Sequence, residues 1–177
     1  IRDSKQAIST FITKIGTVCF VIALSEKVRV LCLNDDKNEN DHAGFTADCR
    51  RWITEQIEDA KKCGCTLIGI EHHLLVPHIS PLLTGGSTCV ENREEVASFF
   101  ADAGLKYMFV GHSHIQHTDS FTSPAGNKIT EVNVGALSGY PAPIVDVSVL
   151  ENGRLEYNVR HLKSFLVNGR EVDAESY

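Results

Sequence analysis

Two short segments concentrate residues that could do chemistry. Glu71-His72-His73 directly follows the apolar run 66–70 (TLIGI), and Gly111-His112-Ser113-His114 directly follows 106–110 (KYMFV). Neutral imidazole is a good ligand for Zn, Fe and Mn ions. In the His112-Ser113-His114 pair, one intervening residue lets the two rings diverge enough to serve two adjacent ions, and Gly111 permits a tight turn before them. Any one of these histidines, alone, reads as a hydrogen-bonded loop residue. His72, His112 and His114 together, on two post-strand turns, read as ligands of divalent metal ions.

The elements around them must bring the two turns together. His72 and His112 are 112 − 72 = 40 residues apart, enough for a loop, a helix and a return strand. A right-handed crossover of that kind places both strands parallel in one sheet. Both histidine clusters then emerge at its carboxyl edge, where open α/β sheets bind ligands.

The rest of the chain fits such a unit. Segments 17–24 (TVCFVIAL) and 28–33 (VRVLCL) read as strands joined by a Ser25-Glu26-Lys27 turn. Residues 34–44 are a polar loop. Thr46 reads as a helix N-cap, with Cys49, Trp52, Ile53, Ile57 and Ala60 at helical spacing and a stop at Cys63-Gly64. A second helix is predicted over 92–103, with Val96, Phe99 and Phe100 on one face and Gly104 as its stop. From His117 onward, strands near 118–123, 129–134, 144–150 and 155–162 alternate with turns, as in an antiparallel meander. The polar residues 163–177 read as a frayed C-terminal tail. The expected class is α/β, with a layered β-sandwich flanked by helices.

Composition bounds the partners. The 177-residue chain has 17 Lys and Arg against 23 Asp and Glu, a net charge of −6. That balance argues against a nucleic-acid surface, which needs clustered positive charge. It leaves room for a small phosphorylated substrate, because a metal ion can supply the positive charge. No apolar run approaches the roughly eighteen residues of a membrane span. Cys19, Cys32, Cys49, Cys63, Cys65 and Cys89 read as six reduced thiols, which favours a cytoplasmic location.

Other chemistry-bearing residues read more plainly. His78 and His117 read as solvated loop residues, and His42 and His161 as surface residues. Gly85-Gly86-Ser87 lacks the lysine of a phosphate-binding loop and reads as flexible chain. Tyr140 reads equally as a cleft wall or part of a turn, and Trp52 as helix core.

Taken in order, VRVLCLND, TADCRRWITEQIEDAKKCG, TLIGIEHH, KYMFVGHSH and VNVGALSGYPAP resemble the C-terminal half of the calcineurin-like metallophosphoesterases over about residues 10–162. The resemblance implies a dinuclear centre of Mn, Fe or Zn in which His72 and His112 ligate one ion and His114 the other. It places His73 beside them, in the catalytic pocket. The implied activity is hydrolysis of phosphomonoesters or phosphodiesters by a metal-activated water.

This sequence departs from the family pattern in two ways. Leu74 stands where proline is common. The family's early motifs D-x-H, G-D-x-x-D and G-N-H-D are absent from these 177 residues, and Asn34-Asp35-Asp36 matches a strand end that carries no ligand in the family. Residues 1–162 are therefore expected to be the C-terminal part of one domain, incomplete, with 163–177 as its tail. Without a bridging carboxylate, one weakly held ion is expected rather than two, and this chain alone is expected to be inactive. The alternative is a non-catalytic binding or structural module with vestigial histidines. Uncovered sheet surface would offer a route to a homo-oligomer.

Overall fold

Strand order and helix placement follow from where the apolar residues fall. The computed structural model describes residues 7–12, 18–36, 43–80, 82 and 88–176. Asp3, His42 and Gly85-Gly86-Ser87 lie outside the described residues. Seven strands form one sheet in the order β1-β2-β3-β4-β5-β7-β6. They are β1 (Ala7–Ile12), β2 (Val18–Ala23), β3 (Val28–Cys32), β4 (Thr66–Ile70), β5 (Tyr107–Val110), β6 (His117–Thr122) and β7 (Lys128–Asn133). Strands β3, β4, β5 and β7 run parallel, and β1, β2 and β6 pair antiparallel at the two sides.

Helices α1 (Ala47–Lys62) and α2 (Arg93–Ala103) make the two crossovers. Thr46 caps α1 as expected, its hydroxyl accepting from the Cys49 N–H at 3.2 Å. Gly104, at φ 95°, ends α2 in the left-handed conformation that favours glycine. Cys49, Ile53, Ile57 and Ala60 of α1 and Val96, Ala97 and Phe100 of α2 are buried. They share one core with Leu31, Leu67, Met108 and Ile129 of the sheet. Register explains the choice of face. Leu31 pairs with Gly69, Gly69 with Met108, and Met108 with Glu131, so these four point to the helix side. Gly69 has no room for a side chain, since a Cβ there would lie 2.6 Å from Met108 Sδ.

Three sequence expectations need correction. The strands after His117 do not form one separate antiparallel meander. The β6–β7 hairpin joins the main sheet through parallel pairing of β7 with β5. Strands β8 (Pro143–Val149) and β9 (Leu155–His161) stand apart from it as a two-stranded sheet. Within the expected tail, residues 163–176 are not frayed, because β10 (Ser164–Val167) and β11 (Arg170–Asp173) pair as a hairpin about a turn in which Asn168 and Gly169 both take positive φ. The thiols are not all free. Cys63 and Cys65 are joined, since the turn at Gly64 (φ 67°) brings their Cα atoms to 5.4 Å. Cys19 and Cys49 remain buried free thiols, with sulfurs 3.9 Å apart in the core. Trp52 is core as expected, and its ring N–H donates to Ser9 Oγ at 3.1 Å.

Phe100 is fully buried and packs edge-on against Phe45 at 5.6 Å. Phe100→Ala should lower the unfolding free energy by about 3–5 kcal/mol in urea denaturation. Leu166→Ala, on the 73% exposed Leu166, should change it by less than about 0.5 kcal/mol.

Candidate metal centre

The carboxyl ends of β3, β4 and β5 deliver three segments to one edge. Asp35 lies just beyond β3, Glu71-His72-His73 beyond β4, and Gly111-His112 beyond β5. The two histidine segments are tied by backbone: the Gly111 and His112 N–H groups both donate to the His72 carbonyl, at 3.2 and 3.0 Å. This is the convergence that the 40-residue spacing predicts.

Three imidazoles meet there. His72, His73 and His112 each offer one ring nitrogen, and these atoms lie within 4.8 Å of one another. His112 Nδ1 and His72 Nε2 are 2.8 Å apart, and the His73 and His112 rings are 4.4 Å apart between centroids. His114 does not join them. It is exposed and takes φ 60°, so the chain turns away after His112 and only one histidine of the His-x-His pair reaches the cluster. The third imidazole of the group is His73, which the resemblance places beside the ligands, in the catalytic pocket.

Asp35 is the residue that sequence reasoning missed. It is 3% exposed; its Oδ2 accepts from the His73 backbone N–H at 2.6 Å and lies 3.1 Å from His73 Nδ1. A carboxylate on one ring nitrogen fixes the ring and leaves the other nitrogen available for an ion. The available signal was position: Asp35 directly follows a buried strand, as both histidine clusters do.

Charge at this edge is lopsided. Glu71 is buried, and neither carboxylate oxygen has a hydrogen-bond partner. Burial pushes its carboxyl well above the usual range, and Asp35 and Glu131 push it the same way. Burial also holds the His112 imidazole below its usual value, helped by His73 and His72, which keeps it in the neutral form that a metal needs. Next to the cluster, an open pocket of about 450 Å³ is lined by Asn34, Asp35, Asp36, His72 and His73. A larger cavity of about 660 Å³ lies at the opposite edge of the sheet, among Lys27, Thr66, Lys106 and Tyr107, away from the imidazoles.

Two other histidines depart from expectation. His78 is not solvated: its side chain is fully buried and its Nε2 lies 3.0 Å from Glu131 Oε1. His117, which is exposed, faces it with Nδ1 2.9 Å from His78 Nδ1. His161 is exposed as expected, and Tyr140 is 65% exposed in the turn before β8.

The donor set fits one divalent ion. Two nitrogens on one tetrahedral zinc, each about 2.0–2.1 Å away, stand roughly 3.4 Å apart, a separation that small ring rotations reach from the observed spacings. It does not fit two ions, because among the described residues no carboxylate bridges this cluster.

No family profile matches the chain, and no curated protein matches it in sequence. Its fold is similar to that of a dimetal phosphatase from Danio rerio, with a TM-score of 0.60, 12% identity and 81% of this chain covered. The chain spans 57% of that protein's length. At this identity the likeness is one of fold alone, the layered α/β architecture expected from the sequence. No helix among the described residues is long and apolar enough to cross a membrane.

The linkage sign at Glu71 gives a test in metal-free protein. A carboxyl raised above its unfolded value of 4.5 contributes stability below that pH and loses it as pH rises through the folded value. Glu71→Gln has no such loss. Its melting-temperature advantage over the native chain should therefore grow between pH 5 and pH 8, and a pH-independent difference would contradict this assignment.

Proposed function

We propose that this chain carries part of the site of a metal-dependent phosphoesterase acting on a small phosphorylated substrate. The observation that carries the reading is the convergence of His72, His73 and His112 at the carboxyl edge of a metallophosphoesterase-like sheet. His72 and His112 would hold one divalent ion as the sequence suggests, with His73 as third ligand in place of His114. Asp35 orients His73 and stabilises its ring for ligation. When bound, the ion would supply Lewis-acid polarisation of a phosphoryl oxygen and lower the pKa of a nearby water. Asn34, Asp36 and the exposed edge of His72 border the space where a phosphoester would approach.

The carboxylate motifs of a two-metal centre are absent from these 177 residues. Hydrolysis of bis(4-nitrophenyl) phosphate by this chain with Mn²⁺ is therefore expected at the level of the metal-only blank. Turnover well above the blank that disappears in H112Q would mean that one ion suffices. The alternative, a non-catalytic module with vestigial histidines, separates from the main reading at the binding step. Titration calorimetry with Mn²⁺ or Zn²⁺ should show an ion site that His112→Gln abolishes and Asp35→Asn weakens by about 10–100-fold. Unchanged metal uptake in H112Q would remove the proposed centre.

A further inference from the structure

A second imidazole pair lies outside the triad. Glu131, in the middle of β7, has no solvent exposure. Its Oε2 accepts from the Leu75 N–H at 2.8 Å, and its Oε1 accepts from the Val76 N–H at 3.1 Å and faces His78 Nε2 at 3.0 Å. Taken as a carboxylate, Glu131 can only accept, which assigns the ring proton to His78 Nε2. His78 Nδ1 is then a lone pair, and it points at His117 Nδ1, 2.9 Å away.

This repeats the logic of the triad. In each place one imidazole nitrogen faces another at 2.8–2.9 Å and a buried carboxylate faces a ring nitrogen, that of the third ring, His73, in the triad and that of His78 itself in the second pair. Metal-ligating histidines characteristically donate their other N–H to a carboxylate. Two nitrogens each about 2.0–2.1 Å from one zinc are separated by about 2.9 Å at a right angle and about 3.4 Å at the tetrahedral angle. The observed 2.9 Å falls in that range. On the charge side, the carboxyl of Glu131, which has no solvent exposure, backs the pair from the core. His117 is exposed, so an ion has an entry path and solvent can complete its coordination.

We propose that His78 and His117 form a second site for a borderline divalent cation of the Zn²⁺ class, backed by Glu131 and separate from the triad. Register sets it apart. Val110 and His117 both pair with Asn133, on opposite sides of β7, so their backbones are about two strand spacings, roughly 10 Å, apart. An ion there would clamp the segment carrying His72 and His73 to the start of β6, a structural rather than catalytic role.

The site goes beyond the phosphoesterase reading and is tested without activity. Zn²⁺ is titrated into the full chain, kept reduced with a phosphine, in competition with a chromophoric chelator. Because His117 is exposed, His117→Gln should fold normally and bind one equivalent fewer than the native chain. His72→Gln should lose a different equivalent, and the double variant both. Glu131→Gln should weaken the His117-dependent equivalent by about 10–100-fold. The imidazole ¹⁵N signals of His78 and His117 should shift on Zn²⁺ addition. Zinc uptake by H117Q equal to that of the native chain would overturn the proposal, leaving a shared proton between the two rings. Unchanged ¹⁵N signals at saturating Zn²⁺ would overturn it equally, whatever the fate of the triad in H72Q.

Discussion

The site edge depends on one buried carboxylate. Glu131 sits where the register of β7 gives it no choice but the helix-covered face, in the same row as Leu31, Gly69 and Met108. A charge in such a place is tolerated only if it is hydrogen-bonded. The partners come from the segment after β4: two successive backbone N–H groups and the His78 ring. That segment has little regular structure of its own, so Glu131 supplies the ladder that a strand would otherwise give it. His72 and His73 lie a few residues upstream and inherit the position. The clamp on one side and the double donation from Gly111 and His112 to the His72 carbonyl on the other leave the His72 backbone little freedom.

The histidine clusters and the parallel strands beneath them were legible because their signals are local: an apolar run, then imidazoles, twice, at a crossover's spacing. Both helices were legible for the same reason, with Thr46 and Gly104 marking a start and a stop. Asp35 was not, because a lone carboxylate after a strand carries no pattern until the strand order is known, and only parallel pairing of β3 with β4 brings it to His73. His114 lies outside the three-imidazole group, because His-x-His spacing fixes sequence distance but not direction, and His114 takes a positive φ. Glu131 escaped notice because Ile129-Thr130-Glu131-Val132-Asn133 alternates too weakly to say which face is buried. Ile129, Glu131 and Val132 are all almost fully inaccessible, since the sheet at β7 is covered on both sides. The β10–β11 hairpin was hidden by its polar composition, in which only Phe165, Leu166, Val167 and Val172 mark the strands.

Electrostatics then decides what this edge can accept. Asp35 and Glu131 are at most 3% exposed, and among the described residues the titratable side chains hydrogen-bonded to them are histidines. The lysines and arginines with ion pairs among the described residues use them elsewhere: Arg29 with Asp59, Arg50 with Glu95, Arg51 with Asp48, Lys61 with Glu58, Arg93 with Glu94, Arg154 with Glu156 and Arg160 with Asp146. Neutral imidazoles backed by buried carboxylates repel an anion and attract a cation. On the proposed reading, order of binding follows: a phosphoester meets a net negative edge until an ion occupies the triad, and only the ion reverses the sign of the field it approaches. The chain's overall charge of −6 points the same way, and among the described residues no lysine or arginine lines the pocket beside the triad. On that reading anion recognition here is metal recognition first, and variants that loosen the ion should weaken phosphate binding even where they leave every phosphate-facing side chain in place.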